Sequence, residues 1–485
     1  MTITDDHSVK GAIAWGSVGS IGLRLGSLGV GIFLARMFVP EDFAVFAVAL
    51  TVSTVLTSIA DLGLSSGLVR SKDPHGDAPT TATISLVVGC VFALVLLAAA
   101  PLIERTFAVE GSAAVVAVLG LSIPLASAGV VPYAFLLRRF DQKSLLAAAS
   151  ADFVVSAAVT VVLVLADVGP MSLAIARIAG QLCATGVQFF RADMLPHFGF
   201  DRSRLRPALA FGAPIAAANV LSWSVVSIDN LVVARVVGDV ALGFYALAFN
   251  ISTWPTNAMG TIVRAVALPW FARESEQAGG VGGRRAALAR AGALTWAGAL
   301  PTGVLLAVMA APVISVLYGD RWTDASGALV ALGVFATLRV MFDLFATYLL
   351  AHGASRVVLT IQVLWIGILV PASIVGARVG GIEGVGWSHT AVGLVVVLPL
   401  YLIAVHRVGA DIGALGRAAI RPLMAFVPAA AAAFAAVSLI SNPWLAVVTG
   451  GGAAACVYAA ALHGWVVALM KDENTTAAPR RGVVR

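Results

Sequence analysis

The sequence predicts an all-α, polytopic membrane protein of about 14 transmembrane helices. Three observations carry this prediction: a large apolar excess, apolar runs of repeating length, and basic residues that alternate between the links. Of the 485 residues, 60% are hydrophobic and 12% are charged, and the mean hydropathy is +0.96. A soluble domain carries about 25% charged residues, so this chain could not cover a water-facing surface.

A run of about 20 apolar residues spans a hydrocarbon core of about 30 Å. Backbone groups find no water partners in lipid, which forces such runs into helices. The runs fall at roughly 11–36, 42–62, 79–102, 112–136, 144–166, 170–190, 208–236, 241–263, 289–316, 325–350, 356–377, 382–404, 419–440 and 444–470. The start, from Met1 to His7, is acidic, whereas a secretory leader is basic. The first run is also longer than a leader's core, so it reads as an uncleaved first span. The links are short, and none of the proposed external ones is long enough for a folded domain.

Orientation follows from the basic residues. With the N-terminus inside, 23 of the 31 lysines and arginines fall in inner segments, from Lys10 to the tail of Lys471, Arg480, Arg481 and Arg485. Only Arg36, Arg105, Arg235, Arg321 and Arg378 fall in outer links, while Arg24, Arg177 and Arg339 lie within spans. Both termini are therefore expected in the cytoplasm of a bacterial inner membrane. The net charge of +6 reads as topology and contact with anionic membrane lipid, not as nucleic-acid binding.

Cys90, Cys183 and Cys456 lie in apolar runs, and the seven histidines are scattered without ligand spacing. The chain has no G-x-x-x-x-G-K-[ST] and no H-E-x-x-H. No catalytic residue, cofactor or metal site is expected.

An internal repeat supports two units. A shift of 199 residues sets Ala35-Arg36 on Ala234-Arg235 and Phe46-Ala47-Val48-Ala49 on Tyr245-Ala246-Leu247-Ala248. Six spans per unit is even, so both units point the same way, related by an axis along the membrane normal. The expected division is 1–190 and 208–404, two additional spans over 419–470, and a basic tail over 471–485.

The stretch Leu34-Ala35-Arg36, Pro40-Glu41-Asp42-Phe43, Asp61-Leu62-Gly63-Leu64 and Leu68-Val69-Arg70 resembles the opening of the Wzx-type polysaccharide flippases. These belong to the MATE-like multidrug/oligosaccharidyl-lipid/polysaccharide exporters. Ile228-Asp229-Asn230, Gly243-Phe244-Tyr245-Ala246-Leu247 and Ala267-Leu268-Pro269 match the family pattern in the second unit, and Tyr348 to Gly353 is similar to the end of the family's tenth span. The resemblance implies two six-helix lobes in a V that alternate between inward-open and outward-open. It also implies a glycan on a polyprenyl-pyrophosphate carrier as cargo, coupling to a proton or sodium gradient, and work beside polysaccharide polymerase or assembly proteins. A cation-coupled drug exporter of the MATE type and a lipid II-type flippase are the alternatives. A membrane enzyme is disfavoured by the short outer links.

Arg24 lies about 13 residues into the first span, about 20 Å deep at 1.5 Å per residue. An arginine at mid-bilayer costs at least about 2.5–3.5 kcal/mol, so it requires a partner. A pyrophosphate, which takes forked guanidinium donors, and an acid on another span are the two readings. The resemblance implies the first, because relatives use first-span arginines for the diphosphate. Arg177 and Gln181, one turn apart, read either as a polar strip for substrate or, for Arg177, as an arginine snorkelling outward. Arg339 and Asp343, also four apart, read either as a self-paired bridge or as a partner-exchanging site. Arg70 and Arg264 close the inner ends of the second and eighth spans, as headgroup ligands or ordinary anchors. Asp152, near the middle of the fifth span, reads as a lone carboxylate and candidate ion carrier or as a partner for Arg24 or Arg339. Asp229, beside Asn230, reads as a second ion-coupling candidate or as hydrogen-bonded packing, and Asp343 is a third candidate.

Overall fold

The computed structural model describes residues 22–23, 26–60, 63–205, 228–254 and 281–476, with side chains placed in all of these except 53–60, 281–287 and 465–476. Arg24 and Arg264 lie outside the described residues. Every regular element among those described is a helix.

In chain order the helices are α1 (Gly26–Met37), α2 (Pro40–Ala60), α3 (Leu64–Arg70), α4 (Pro74–Phe107), α5 (Ser112–Gly120), α6 (Ser122–Ala128), α7 (Val130–Arg138), α8 (Gln142–Leu165) and α9 (Met171–Ala192). Then come α10 (228–236) and α11 (239–254), followed by α12 (Val281–Val308), α13 (Ala310–Tyr318), α14 (Ser326–Ala351), α15 (Ser355–Val392), α16 (Leu398–Arg407), α17 (Ile412–Leu439) and α18 (Pro443–Thr476).

Local chemistry sets several starts. Asp73 caps α4 by accepting from the Gly76 N–H at 3.0 Å, with Pro74 at the first helical position. Asp141 caps α8 on the Ser144 N–H at 3.1 Å, and Asp411 caps α17 on the Ala414 N–H at 3.0 Å. These three aspartates occupy links that also carry basic residues.

Eight helical stretches among the described residues are long and apolar enough to cross a bilayer, or nine with the pair Ser112–Ala128 and Val130–Arg138, which bends by 44°. One stretch, Ser355–Arg407, runs 53 residues and is a hairpin rather than a rod. The Ser388 hydroxyl donates to the Ala372 carbonyl at 2.9 Å, whereas 16 residues of straight helix cover about 24 Å. The reversal sits at Gly380 and Gly381, where Gly381 takes φ 56° and the helical dihedrals break. It recovers the two spans expected at 356–377 and 382–404.

Contacts divide the chain into two compact units, Met1–Ala246 and Leu247–Arg485. In the first, Leu34 of α1 and Phe38 just after it pack with Val164 and Leu173 of α8 and α9. In the second, α14 is the central helix: 78% of its apolar window is buried, against 22–44% for the other spans of that unit. The last two helices belong to this unit. Phe426 and Ala429 of α17 and Tyr458 of α18 pack on Leu300 of α12, and the Tyr458 hydroxyl donates to the Ala297 carbonyl at 2.9 Å.

Candidate functional site

The first unit carries a polar seam inside its spans. Arg177 of α9 reaches across to Asp152 of α8, Nη1 to Oδ2 at 2.9 Å. Asp152 is therefore not the lone carboxylate that its span suggests, and its described partner is neither Arg24 nor Arg339. Gly180 makes the approach possible, because a side chain there would collide with Ser156 and Asp152. Ser156 donates to the Ala176 carbonyl at 3.1 Å. Below the ion pair, Gln181 donates to Thr185 at 3.3 Å, and Thr185 to the Leu125 carbonyl at 3.1 Å. Gln188 ends the row with a buried Oε1 that has no partner among the described residues. Spacings of four, four and three put Arg177, Gln181, Thr185 and Gln188 on one helix face.

Asp229 is fully buried. Its Oδ2 accepts from the Tyr245 hydroxyl at 2.7 Å. Its neighbour Asn230 donates to Thr51 of α2 at 2.9 Å.

In the second unit, the Arg339 guanidinium lies 5.7 Å from the centroid of the Trp365 ring, within cation–π range. Phe335 and Phe342 meet the same indole edge-on at 6.0 and 5.5 Å. Asp343 is half-buried on α14, and its carbonyl accepts from Thr347 at 2.7 Å.

At the arginine-rich end of the first unit, Arg70 lines a cavity of about 450 Å³ with Lys72, Asp77 and Arg204. Arg204 is held by Asp77 through Nη1, by Asp73 at 3.1 Å and by Asp201 at 3.3 Å. Asp77 and then Asp73 push the guanidinium further toward its charged form. The Gly76 N–H, and next to it Arg204, hold the Asp73 carboxyl below the usual 3.8. The Ser203 hydroxyl and N–H, with Arg204 behind them, do the same for Asp201. Nearby Arg138 donates to the Val69 and Ser71 carbonyls at 2.8 and 2.7 Å, closing the end of α3.

Sequence reasoning named Asp152, Arg177, Gln181, Asp229 and Arg339 as candidates but missed their settings: Gly180 and Ser156 at the seam, Tyr245 on Asp229, Trp365 under Arg339. It also missed the Arg204 cluster, whose one sequence signal is Asp-Pro-x-x-Asp at 73–77, a helix start with two acids on its first turn.

The architecture is that of a multi-helix membrane protein. It matches a structure titled lipid II flippase MurJ, inward closed conformation, with a TM-score of 0.79 over 93% of this chain and 100% of that one, at 14% identity. An inward-facing multidrug resistance MATE family transporter of the MOP superfamily matches with a TM-score of 0.66 over 81% of this chain and 96% of that one, at 17% identity. These likenesses define the fold. The family comes from sequence: residues 33–327 match the model described as polysaccharide biosynthesis protein, and the chain belongs to that family. The lipopolysaccharide biosynthesis protein WzxC of Escherichia coli K12 is 23% identical, over 83% of this chain and 82% of its own length. The succinoglycan biosynthesis transport protein ExoT of Rhizobium meliloti is 25% identical, over 70% and 68%.

Proposed function

We propose that this protein is a flippase that carries a lipid-linked oligosaccharide, a glycan on a polyprenyl pyrophosphate, from the inner to the outer leaflet for surface polysaccharide assembly, leaving the cargo chemically unaltered. The observation that carries the reading is the family match through residues 33–327 on a transporter fold. The lipid tail can stay in the bilayer throughout. The polar headgroup cannot cross unaided, so a path is what the protein supplies, by alternating access. The membrane is the bacterial inner membrane, with the arginine-rich link ends and both termini cytoplasmic, as the basic-residue bias requires.

Arg24 and Arg264 are the candidate diphosphate ligands, because a guanidinium takes phosphate oxygens in pairs. Asp229 is the leading candidate for coupling to a proton or sodium gradient, on the strength of its complete burial and its tyrosine partner. Asp152 is a weaker candidate, since Arg177 already compensates its charge. Polysaccharide polymerase and assembly proteins would act on the delivered glycan.

Deleting the gene in its host tests the reading. Lipid-linked glycan should build up on the inner leaflet, and complementation with Asp229→Asn should leave that build-up in place. A deletion strain with no such accumulation overturns the proposal.

A further inference from the structure

The cavity at the arginine-rich end carries Arg70, Lys72 and Arg204 on its wall, with Ser71, Asp77 and Ser203 between them. Clustered cations and hydroxyls suit a phosphate anion, which accepts from forked N–H groups and O–H groups together. Here carboxylates hold three of those donors, Arg204, Ser71 and Ser203. Asp77 accepts from Arg204 through one oxygen and from Ser71 through the other. Asp73 and Asp201 take two further edges of the same guanidinium, and Ser203 donates to Asp201 at 2.6 Å. Asp77 thus lies on the cavity wall making the contacts that an entering anion would make.

Arg204 also belongs to a segment strapped to the first turns of α4. The Thr83 hydroxyl donates to the Gly199 carbonyl at 2.8 Å, the Gly199 N–H to Pro79 at 3.3 Å, and the Asp201 N–H to the Thr80 hydroxyl oxygen at 3.1 Å. Releasing Arg204 from Asp73 and Asp77 removes the charged part of that strap.

We propose that this cavity is a phosphate-binding vestibule whose resting occupant is the protein's own Asp77 carboxylate, and that a phosphate-bearing ligand displaces Asp77 and Asp73 from Arg204. For a lipid-linked headgroup as the ligand, the proposal rests on the flippase reading; for the anion chemistry it does not. An internal competitor lowers apparent affinity by the fraction of time it holds the site. Removing the competitor must therefore tighten binding, a sign that loss of a merely structural tie would not produce.

The test uses full-length protein in nanodiscs at fixed ionic strength, titrated with inorganic pyrophosphate and, separately, with polyprenyl pyrophosphate. Asp77→Asn should tighten pyrophosphate binding about 10-fold, and Arg204→Gln should weaken it by about the same factor. Asp73→Asn frees another edge of the guanidinium and should shift binding in the same direction as Asp77→Asn, by less. It stands in if Asp77→Asn fails to fold. Unchanged or weaker binding in the aspartate variants overturns the proposal. A gain with pyrophosphate alone assigns the vestibule to a soluble phosphate compound, and a gain with both probes assigns it to the lipid headgroup; either supports the site. Glycan transport is measured in parallel. Wild-type protein that moves no lipid-linked glycan, with the Asp77→Asn gain intact, sinks the flippase reading and leaves the vestibule standing. Transport without the gain does the reverse.

Discussion

In the first unit an arginine inside a span, Arg177, crosses to an acid on the neighbouring helix at 2.9 Å. In the second, Arg339 lies over the indole of Trp365. The two settings differ in what surrounds them. The first is built from a glycine, a serine and amide side chains, so two helices come close enough for a direct ion pair. The second sits among Phe335, Phe342 and Trp365 on the most buried helix of its unit, and the cation takes the face of a ring. The packing around each arginine thus sets the kind of partner it meets.

The comparison can be broken at its tightest point first. Gly180→Leu should drive α8 and α9 apart and abolish recovery of monodisperse protein in detergent, because no rotamer avoids Ser156 and Asp152. Next in size is Asp152→Ala, which strands Arg177 and should destabilise by about 1–3 kcal/mol in thermal unfolding. The double variant Asp152→Asn with Arg177→Gln should recover part of that loss, giving a positive coupling in a double-mutant cycle. In the second unit, the corresponding cycle of Trp365→Phe and Arg339→Gln should show a coupling of only about 0.5–1 kcal/mol. Equal couplings in the two units would erase the distinction drawn here.

The smallest effect expected is with pH. Asp73 and Asp201 have carboxyls held below 3.8. A depressed carboxyl contributes stability above its unfolded pKa, and that contribution is lost as pH falls through the folded value. Hydrogen-exchange protection of the strap over 194–205 should therefore be flat from about pH 5 to 8, and fall only below about pH 4.

Much of the fold was legible because membrane spans are written in length and polarity. The runs at 79–102, 144–166, 170–190, 419–440 and 444–470 all appear as single helices, their edges shifted where Asp73 and Asp141 cap them. The fourth run was not read correctly in detail: 112–136 is broken between Ala128 and Val130, where Gly129 lies against Gln188 and Thr185, a contact with a distant helix. Asp152 and Arg177 face each other because α8 and α9 form one hairpin. The sequence contains that hairpin but not the rotation of either helix, so Arg177 was paired in the reading with Gln181 of its own face instead. Likewise, Arg204 sits 127 residues from Asp77, and no spacing rule reaches that far. Asp229 stood out as an acid in a span, yet its setting depends on Tyr245, whose hydroxyl is polar chemistry hidden in an apolar-looking run.

The most direct test of the central claim is reconstitution. Purified protein in liposomes loaded with a polyprenyl pyrophosphate oligosaccharide on one leaflet is given an ion gradient, and the glycan appearing on the other leaflet is followed with a membrane-impermeant lectin. The account predicts gradient-dependent transfer of the intact lipid-linked glycan. Transfer no faster than in protein-free liposomes, or glycan that emerges cleaved or extended, would contradict it.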